Sequence, residues 1–358
     1  MLLLFAVAQV AASEINCNGN VTIQNGEDAK NVRENCKTIA GTLLLDIFET
    51  CNLDGLEEVQ GDVVHDCPTK QLGLDYCMDA STTFTISSST LRSINGSLRF
   101  YYYRGIEKLD FPKLNKVQDI SLYTPYNLTH INFSNLEYFE TFYLNTPSLI
   151  ELQLDKFKEF TSRPYVNIEN TGRLESLDKF FQNPVNPYNF YHWEASSTFV
   201  QLHLLTVRNL TFGWTLMPSL VIEAKSPLTL TLGGPETEEM EFEGTLEIGA
   251  NVSAINRHEN LKNLTVNSFD LSHNTLTDFD LSFLDQVASV VVYKNPQLRQ
   301  LRLPSTAQSW KNLSLIIWYN DNLLLSPVKN GSEETIWHWP TGDMSSVRIR
   351  ANITSDFL

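Results

Sequence analysis

The chain has 358 residues, 42% of them hydrophobic and 11% aromatic, which is the composition of a folded protein and excludes a disordered one. Its 26 basic residues stand against 42 acidic ones, a formal charge of −16. That deficit argues against nucleic acid or anionic lipid as a partner, since both require a basic surface.

Residues 1–12, within MLLLFAVAQVAAS, read as a signal peptide. Leu2 to Val10 form an apolar run too short for a membrane span, and Val10-Ala11-Ala12 offers small side chains for cleavage. The mature part, 13–358, is expected to be one continuous stack, with two halves able to meet near 181–200. No later segment is apolar for long enough to span a bilayer.

Five cysteines follow, at 17, 36, 51, 67 and 77, with no C-x-x-C pair and no histidine cluster, so disulfides are expected and no metal. Cys17–Cys36 is the expected bridge, closing a loop worth roughly 3 kcal/mol in the chain-entropy account. Cys51, Cys67 and Cys77 cannot all pair among themselves. Between the first two cysteines, Glu27 to Asn35 reads as a short helix that caps the open N-terminal end of the stack.

An apolar phrase then recurs as Ile106-Leu109-Phe111, Leu128-Ile131-Phe133 and Leu149-Leu152-Leu154, and again as Leu276-Phe279-Leu281 and Leu298-Leu301-Leu303. Within these groups the steps are 22, 21 and 22 residues. Second strands such as Asp119–Leu122 and Ser289–Val292 follow the phrase. Asn-containing turns recur at Asn145, Asn170, Asn274 and Asn295, where asparagine tolerates a left-handed corner and bonds neighbouring peptides. A coil of this length cannot bury its own apolar edge, so it must stack on its neighbours. Intervals rich in Thr, Ser, Tyr and Val favour an all-β parallel β-helix over a helical leucine-rich repeat. Breaks are expected after Phe181 and at Gly233-Gly234-Pro235.

Ten N-x-S/T sequons run the length of the chain, at Asn20, Asn95, Asn127, Asn132, Asn209, Asn251, Asn263, Asn312, Asn330 and Asn352. That is about double the roughly five that chance would supply, and it points to a secretory route.

Paired carboxylates are the first candidates for chemistry. Asp278 with Asp280, and Glu241 with Glu243, are i, i+2 pairs expected to point outward as solvated faces, and Arg257-His258-Glu259 reads as a surface turn. No hydrolase elbow, metalloprotease motif, phosphate loop or EF-hand is found, so no catalytic residue and no cofactor is expected. Aromatic clusters are the better candidates: Tyr101-Tyr102-Tyr103, Trp337-His338-Trp339 and above all Tyr188, Tyr191 and Trp193 in the mid-chain break, where exposed rings can stack on sugars or anchor a protein.

The opening Cys17…Cys36-Lys37-Thr38-Ile39-Ala40-Gly41-Thr42-Leu43, with Leu56-x-x-Val59-x-Gly61-x-Val63 and Leu91-x-x-Ile94-x-Gly96-x-Leu98, resembles receptor L domains. Together with the sequons it resembles the fungal GPI-anchored cell-wall organisation and sporulation protein family. The resemblance implies a right-handed, leucine-rich-repeat-like β-helix of L-domain type. It also implies a non-enzymatic role in wall organisation at the cell exterior, with wall polysaccharide or surface proteins as partners. The family's Ser/Thr-rich stalk and apolar anchor tail do not occur before Leu358, so membrane attachment is expected only through a GPI anchor outside this chain. A receptor-type ligand-binding ectodomain is the alternative, and a polysaccharide-degrading β-helix enzyme a further one.

Overall fold

A computed structural model describes residues 15–65, 82–123, 126–157, 159–185, 200–217, 219–302, 313–325, 328–330, 333–335, 345–350 and 352–353. The segment expected to be a signal peptide, Cys67, Cys77, Asn312, Tyr188, Tyr191, Trp193 and Trp337–Trp339 lie outside the described residues.

Alternating apolar residues dictate short strands whose inner side chains face a common interior. Several coils give the largest sheet two segments. The leading segment is represented by Thr38–Ile39, Glu58–Val59 and the start of Ser93–Tyr101, and the trailing one by Val21–Ile23, Leu43–Leu45 and Val63–His65. All pairings within this sheet are parallel, so the chain is a parallel β-helix. On the trailing segments one inner column runs Val21, Leu43, Val63, Leu98, Ile120, Phe142, Val166, Val200, Leu220, Leu246, Phe269, Val290 and Leu315 to Val347 in direct register. Nearly every member is fully buried, and each such side chain contributes roughly 1.5–3 kcal/mol.

The recurring apolar phrase forms a third, lateral wall. Ile106–Asp110, His130–Asn132 and Glu151–Gln153 pair in parallel there, as do Asp278–Asp280 and Gln300–Arg302. The second strands expected after the phrase fall on the trailing segments, within Lys116–Tyr123 and Gln286–Tyr293.

The glycine of the opening phrase has a steric cause. A Cβ on Gly61 would lie 2.7 Å from the Gly41 carbonyl oxygen, and one on Gly96 would meet the Gly61 backbone at 2.9 Å. The bend between leading and trailing segments therefore brings successive coils too close for any side chain.

Helix Gly26–Asn35 starts one residue before the expected Glu27. Asn25 caps it, its Oδ1 accepting from the backbone N–H groups of Glu27 and Asp28, and Ala29 and Val32 are buried against the first coils. Cys17 and Cys36 at its flanks are joined by a disulfide, Cα atoms 5.7 Å apart. Cys51 is a free thiol on the lateral wall, and burial pushes its pKa up to about 12, so it stays protonated and inert at neutral pH.

A second helix, Asp178–Phe181, was not expected from the sequence. It packs against Asn209–Phe212 and stands where the lateral wall stops at Glu151–Gln153 and restarts. Phe180 and Phe181 join Phe139, Phe142, Phe157, Phe212 and Trp214 in a continuous aromatic core. The sheet crosses the mid-chain break without interruption, Val166–Glu169 pairing directly with Val200–His203.

The corners differ from the sequence expectation in one respect. Asn170 and Asn251 do take positive φ, 52° and 59°, but at three later corners the preceding residue does so instead: His273, Lys294 and Tyr319, at 56°, 53° and 56°. The asparagine that follows is then turned inward and fully buried. Asn274 N–H donates to Asn295 Oδ1, and Asn295 N–H to Asn320 Oδ1, at 2.8 and 2.9 Å. The side-chain amides donate to carbonyls of neighbouring coils, Asn295 Nδ2 to Leu271 and Asn320 Nδ2 to Val292. This ladder satisfies peptide groups that a sharp corner would otherwise strand.

Candidate functional site: the outer face of the trailing segments

Outward residues of the trailing segments form two columns on one continuous surface. The first runs through Arg99, Ser121, Tyr143, Asn167, Gln201, Val221, Glu247, Asp270, Val291 and Ile316. The second runs through Tyr101, Tyr123, Asn145, Glu169, His203 and Glu223, and resumes at Ser272, Tyr293 and Trp318. None of the nine described sequon asparagines falls on these segments.

The sequons lie around this face instead. Asn20, Asn95, Asn209 and Asn263 are exposed at segment ends and bends, Asn127 and Asn132 are half-buried beside the lateral wall, and Asn330 and Asn352 lie in strands Val328–Asn330 and Asn352–Ile353. Asn251 is a corner residue whose Nδ2 donates to the Ala224 carbonyl oxygen at 2.9 Å. Asn132 Nδ2 donates to Asp110 Oδ1.

Three zones follow one another along the face. At the N-terminal end Tyr123 and Tyr143 stack at 5.8 Å, with Tyr101 and Tyr102 edge-on to Tyr123. Tyr143 Oη donates to Glu169, and burial together with that carboxylate pushes its pKa well up. These rings are turned to one another. The Tyr101–Tyr103 run sends some of its rings outward, as its alternation predicts: Tyr101 and Tyr102 are half-exposed, whereas Tyr103 is fully buried, its hydroxyl donating to the Ile47 carbonyl and its ring lying 3.5 Å from that of His65. Tyr102 sits at φ 56° on a corner, and that turn reverses the alternation.

The middle zone is acidic. Glu247 and Asp270 are direct register partners, and burial raises both pKa values. The charges of Asp270 and Glu223 add to the rise on Glu247, while a hydrogen bond from Ser272 to Asp270 opposes it there. Glu223 lies 3.2 Å from His203 Nδ1. On the other side of the ring, Gln201 Nε2 lies 2.6 Å from His203 Nε2.

The third zone is aromatic and open. Trp318 and Tyr319 are 38% and 41% exposed, among the few exposed large hydrophobics of the described residues. Tyr293 lies one rung away and meets Tyr319 edge to face at 5.7 Å. Lys294 covers the Tyr293 ring and Arg350 the Tyr319 ring, whereas Trp318 meets Tyr319 at 79° and leaves broad indole surface in solvent. The sequence held a signal for this zone. Ser272-His273-Asn274, Tyr293-Lys294-Asn295 and Trp318-Tyr319-Asn320 are one repeated corner: outward residue, left-handed residue, buried asparagine.

The carboxylates weighed for catalysis point outward as expected. Asp278 and Asp280 are exposed about buried Phe279, with Asp280 bonded to Arg302, and Glu241 and Glu243 flank buried Phe242. Arg257 staples a turn, donating to the Leu261 and Phe283 carbonyls and pairing with Asp285 at 2.8 Å. An open cleft lined by Thr215, Glu239, Glu241 and Gln286 includes the sequon residue Asn263 in its wall. Among the described residues no three His, Cys, Asp or Glu side chains are placed to hold a metal ion. In comparisons with protein-family models, curated proteins and solved structures, nothing matches this chain.

Proposed function

We propose that the chain is a secreted, non-enzymatic glycoprotein of the cell exterior that supports fungal cell-wall organisation by presenting the outer face of its trailing segments. The observation that carries this reading is the sequon pattern. Ten sequons spread along the chain, and none of the nine described ones falls on the strand segments of the face that bears the exposed aromatic zone. Attached glycans would shield the ends, bends and lateral wall and leave that face accessible. A receptor-type ligand-binding ectodomain is the second reading, favoured by the exposure of Trp318 and Tyr319.

Two measurements test the proposal. Glycopeptide mapping of the secreted protein is expected to find glycans at Asn20, Asn95, Asn209 and Asn263, and none at Asn251, whose amide serves the corner. Disruption of the gene is expected to raise sensitivity to wall-perturbing dyes. Unglycosylated protein, or an unchanged wall after disruption, would refute it.

A further inference from the structure

We infer that the zone formed by Trp318, Tyr319 and Tyr293, with Asp270 at its acidic margin, binds a neutral polysaccharide strand laid across successive coils. The inference rests on the reading of this face as the presented surface and adds the class of its ligand.

Three features select that class. First, Tyr293 and Trp318 are register partners on adjacent rungs, with Ser272 the partner of Tyr293 on the next. The rungs are about 4.8 Å apart, so two aromatic side chains stand on one line across adjacent coils, as an extended polymer requires. Second, the groups are those that grip a sugar ring: broad indole surface for its apolar face, and carboxylate or hydroxyl oxygens to accept from its hydroxyls. The Tyr123–Tyr143 pair offers no indole, and the Tyr143 hydroxyl is already committed to Glu169. Third, charge discriminates among polymers. Lys294 and Arg350 are already engaged over tyrosine rings, while Asp270 and Glu247 border the zone on a chain of net charge −16. A polyanion is repelled, and an uncharged glycan is not.

The test is affinity electrophoresis of the full-length secreted protein in native gels containing laminarin, with carboxymethylated glucan as the charged counterpart. Laminarin is expected to retard the protein. Trp318→Ala should weaken this about tenfold, and Asp270→Asn by a smaller factor. Both side chains are at least partly on the surface, and an unchanged melting temperature establishes that the variants are folded. Absence of retardation, equal retardation of folded Trp318→Ala, or retardation only by the charged polymer overturns the inference. Complementation separates it from the broader reading. If disruption gives a wall defect that Trp318→Ala fully rescues, the wall role stands and the glycan site falls.

Discussion

Replacing Asn295 by alanine removes the side chain that ties three coils together at one corner. Asn295 is fully buried, its Oδ1 accepts from the Asn274 N–H at 2.8 Å, and its Nδ2 donates to the Leu271 carbonyl at 2.8 Å and to Asn320 Oδ1 at 3.1 Å. Alanine strands one backbone N–H and leaves the Leu271 carbonyl without that donor, in a place that water does not reach. At about 1–3 kcal/mol for each buried group left unsatisfied, the loss is about 2–6 kcal/mol. The adjacent Lys294→Gly change should act in the opposite direction. Lys294 holds φ 53°, a left-handed conformation that costs a non-glycine residue roughly 1–2 kcal/mol, so glycine recovers part of that at the expense of unfolded-state entropy. Urea unfolding gives the midpoints, and hydrogen exchange locates the effect, because coils of a solenoid loosen locally. Protection should fall at 271–274 and 292–295 in Asn295→Ala while the N-terminal coils keep theirs. A variant within about 0.5 kcal/mol of the parent, or a loss of protection spread evenly along the chain, would refute the corner-ladder argument.

Gly61→Ala should destabilise by about 1–3 kcal/mol, since its Cβ meets Gly41 backbone at 2.7 Å and backbone cannot rotate away; a shift in the thermal midpoint measures it. Paired Cys17→Ser and Cys36→Ser changes should cost about 3 kcal/mol in urea unfolding, with Cys51 remaining unreactive to thiol reagents until the protein unfolds. Glu247→Gln should stabilise the protein at neutral pH. Burial raises the Glu247 and Asp270 pKa values in the folded state, so the native form binds more protons than the unfolded chain just above the usual carboxylate range. The contribution of these groups to stability therefore falls as pH rises from that range toward neutrality, and melting curves between pH 5 and about 7 should flatten in the variant. A steeper pH dependence would contradict this.

The stack was legible in the sequence because its interior obeys a simple rule. Leu109, Ile131 and Leu152 recur at nearly constant steps and occupy one wall, so an apolar phrase sufficed to find them. The corners were legible only in part. Asparagine was recognised as the corner residue, but at Asn274, Asn295 and Asn320 its role is to bond inward, and the left-handed turn falls on whatever precedes it. Helix Asp178–Phe181 left no periodic trace, being one turn long and begun at Leu177 without a side-chain cap. The outer columns were the least legible. Steps along the trailing column vary, reaching 35 residues from Val63 to Leu98, 34 from Val166 to Val200 and 32 from Leu315 to Val347. Inner residues betray their register by being apolar, whereas Glu247, Asp270, Tyr293 and Trp318 share no residue type that would mark them as neighbours.

That difference bears on where function can reside in such a fold. A parallel sheet normally has both faces covered, so an uncovered outer face must be kept soluble by the side chains it presents. Most of this face meets the requirement locally: Asn145 and Tyr143 bond Glu169, and His203 lies between Gln201 and Glu223. Each of those groups has its needs met by the coil beside it, which suits a passive solvated surface. Trp318 and Tyr319 break the pattern, since large apolar area stays in water beside Ile316, on strand segments without a sequon. Stability alone gives no reason to expose an indole there when the equivalent position two rungs earlier is filled by Ser272. Exchanging Trp318 for serine should consequently cost no more than about 1–2 kcal/mol of stability while weakening laminarin retardation about tenfold. A large loss of stability in that exchange would mean that the indole serves the fold, and the argument from exposure to function would fail.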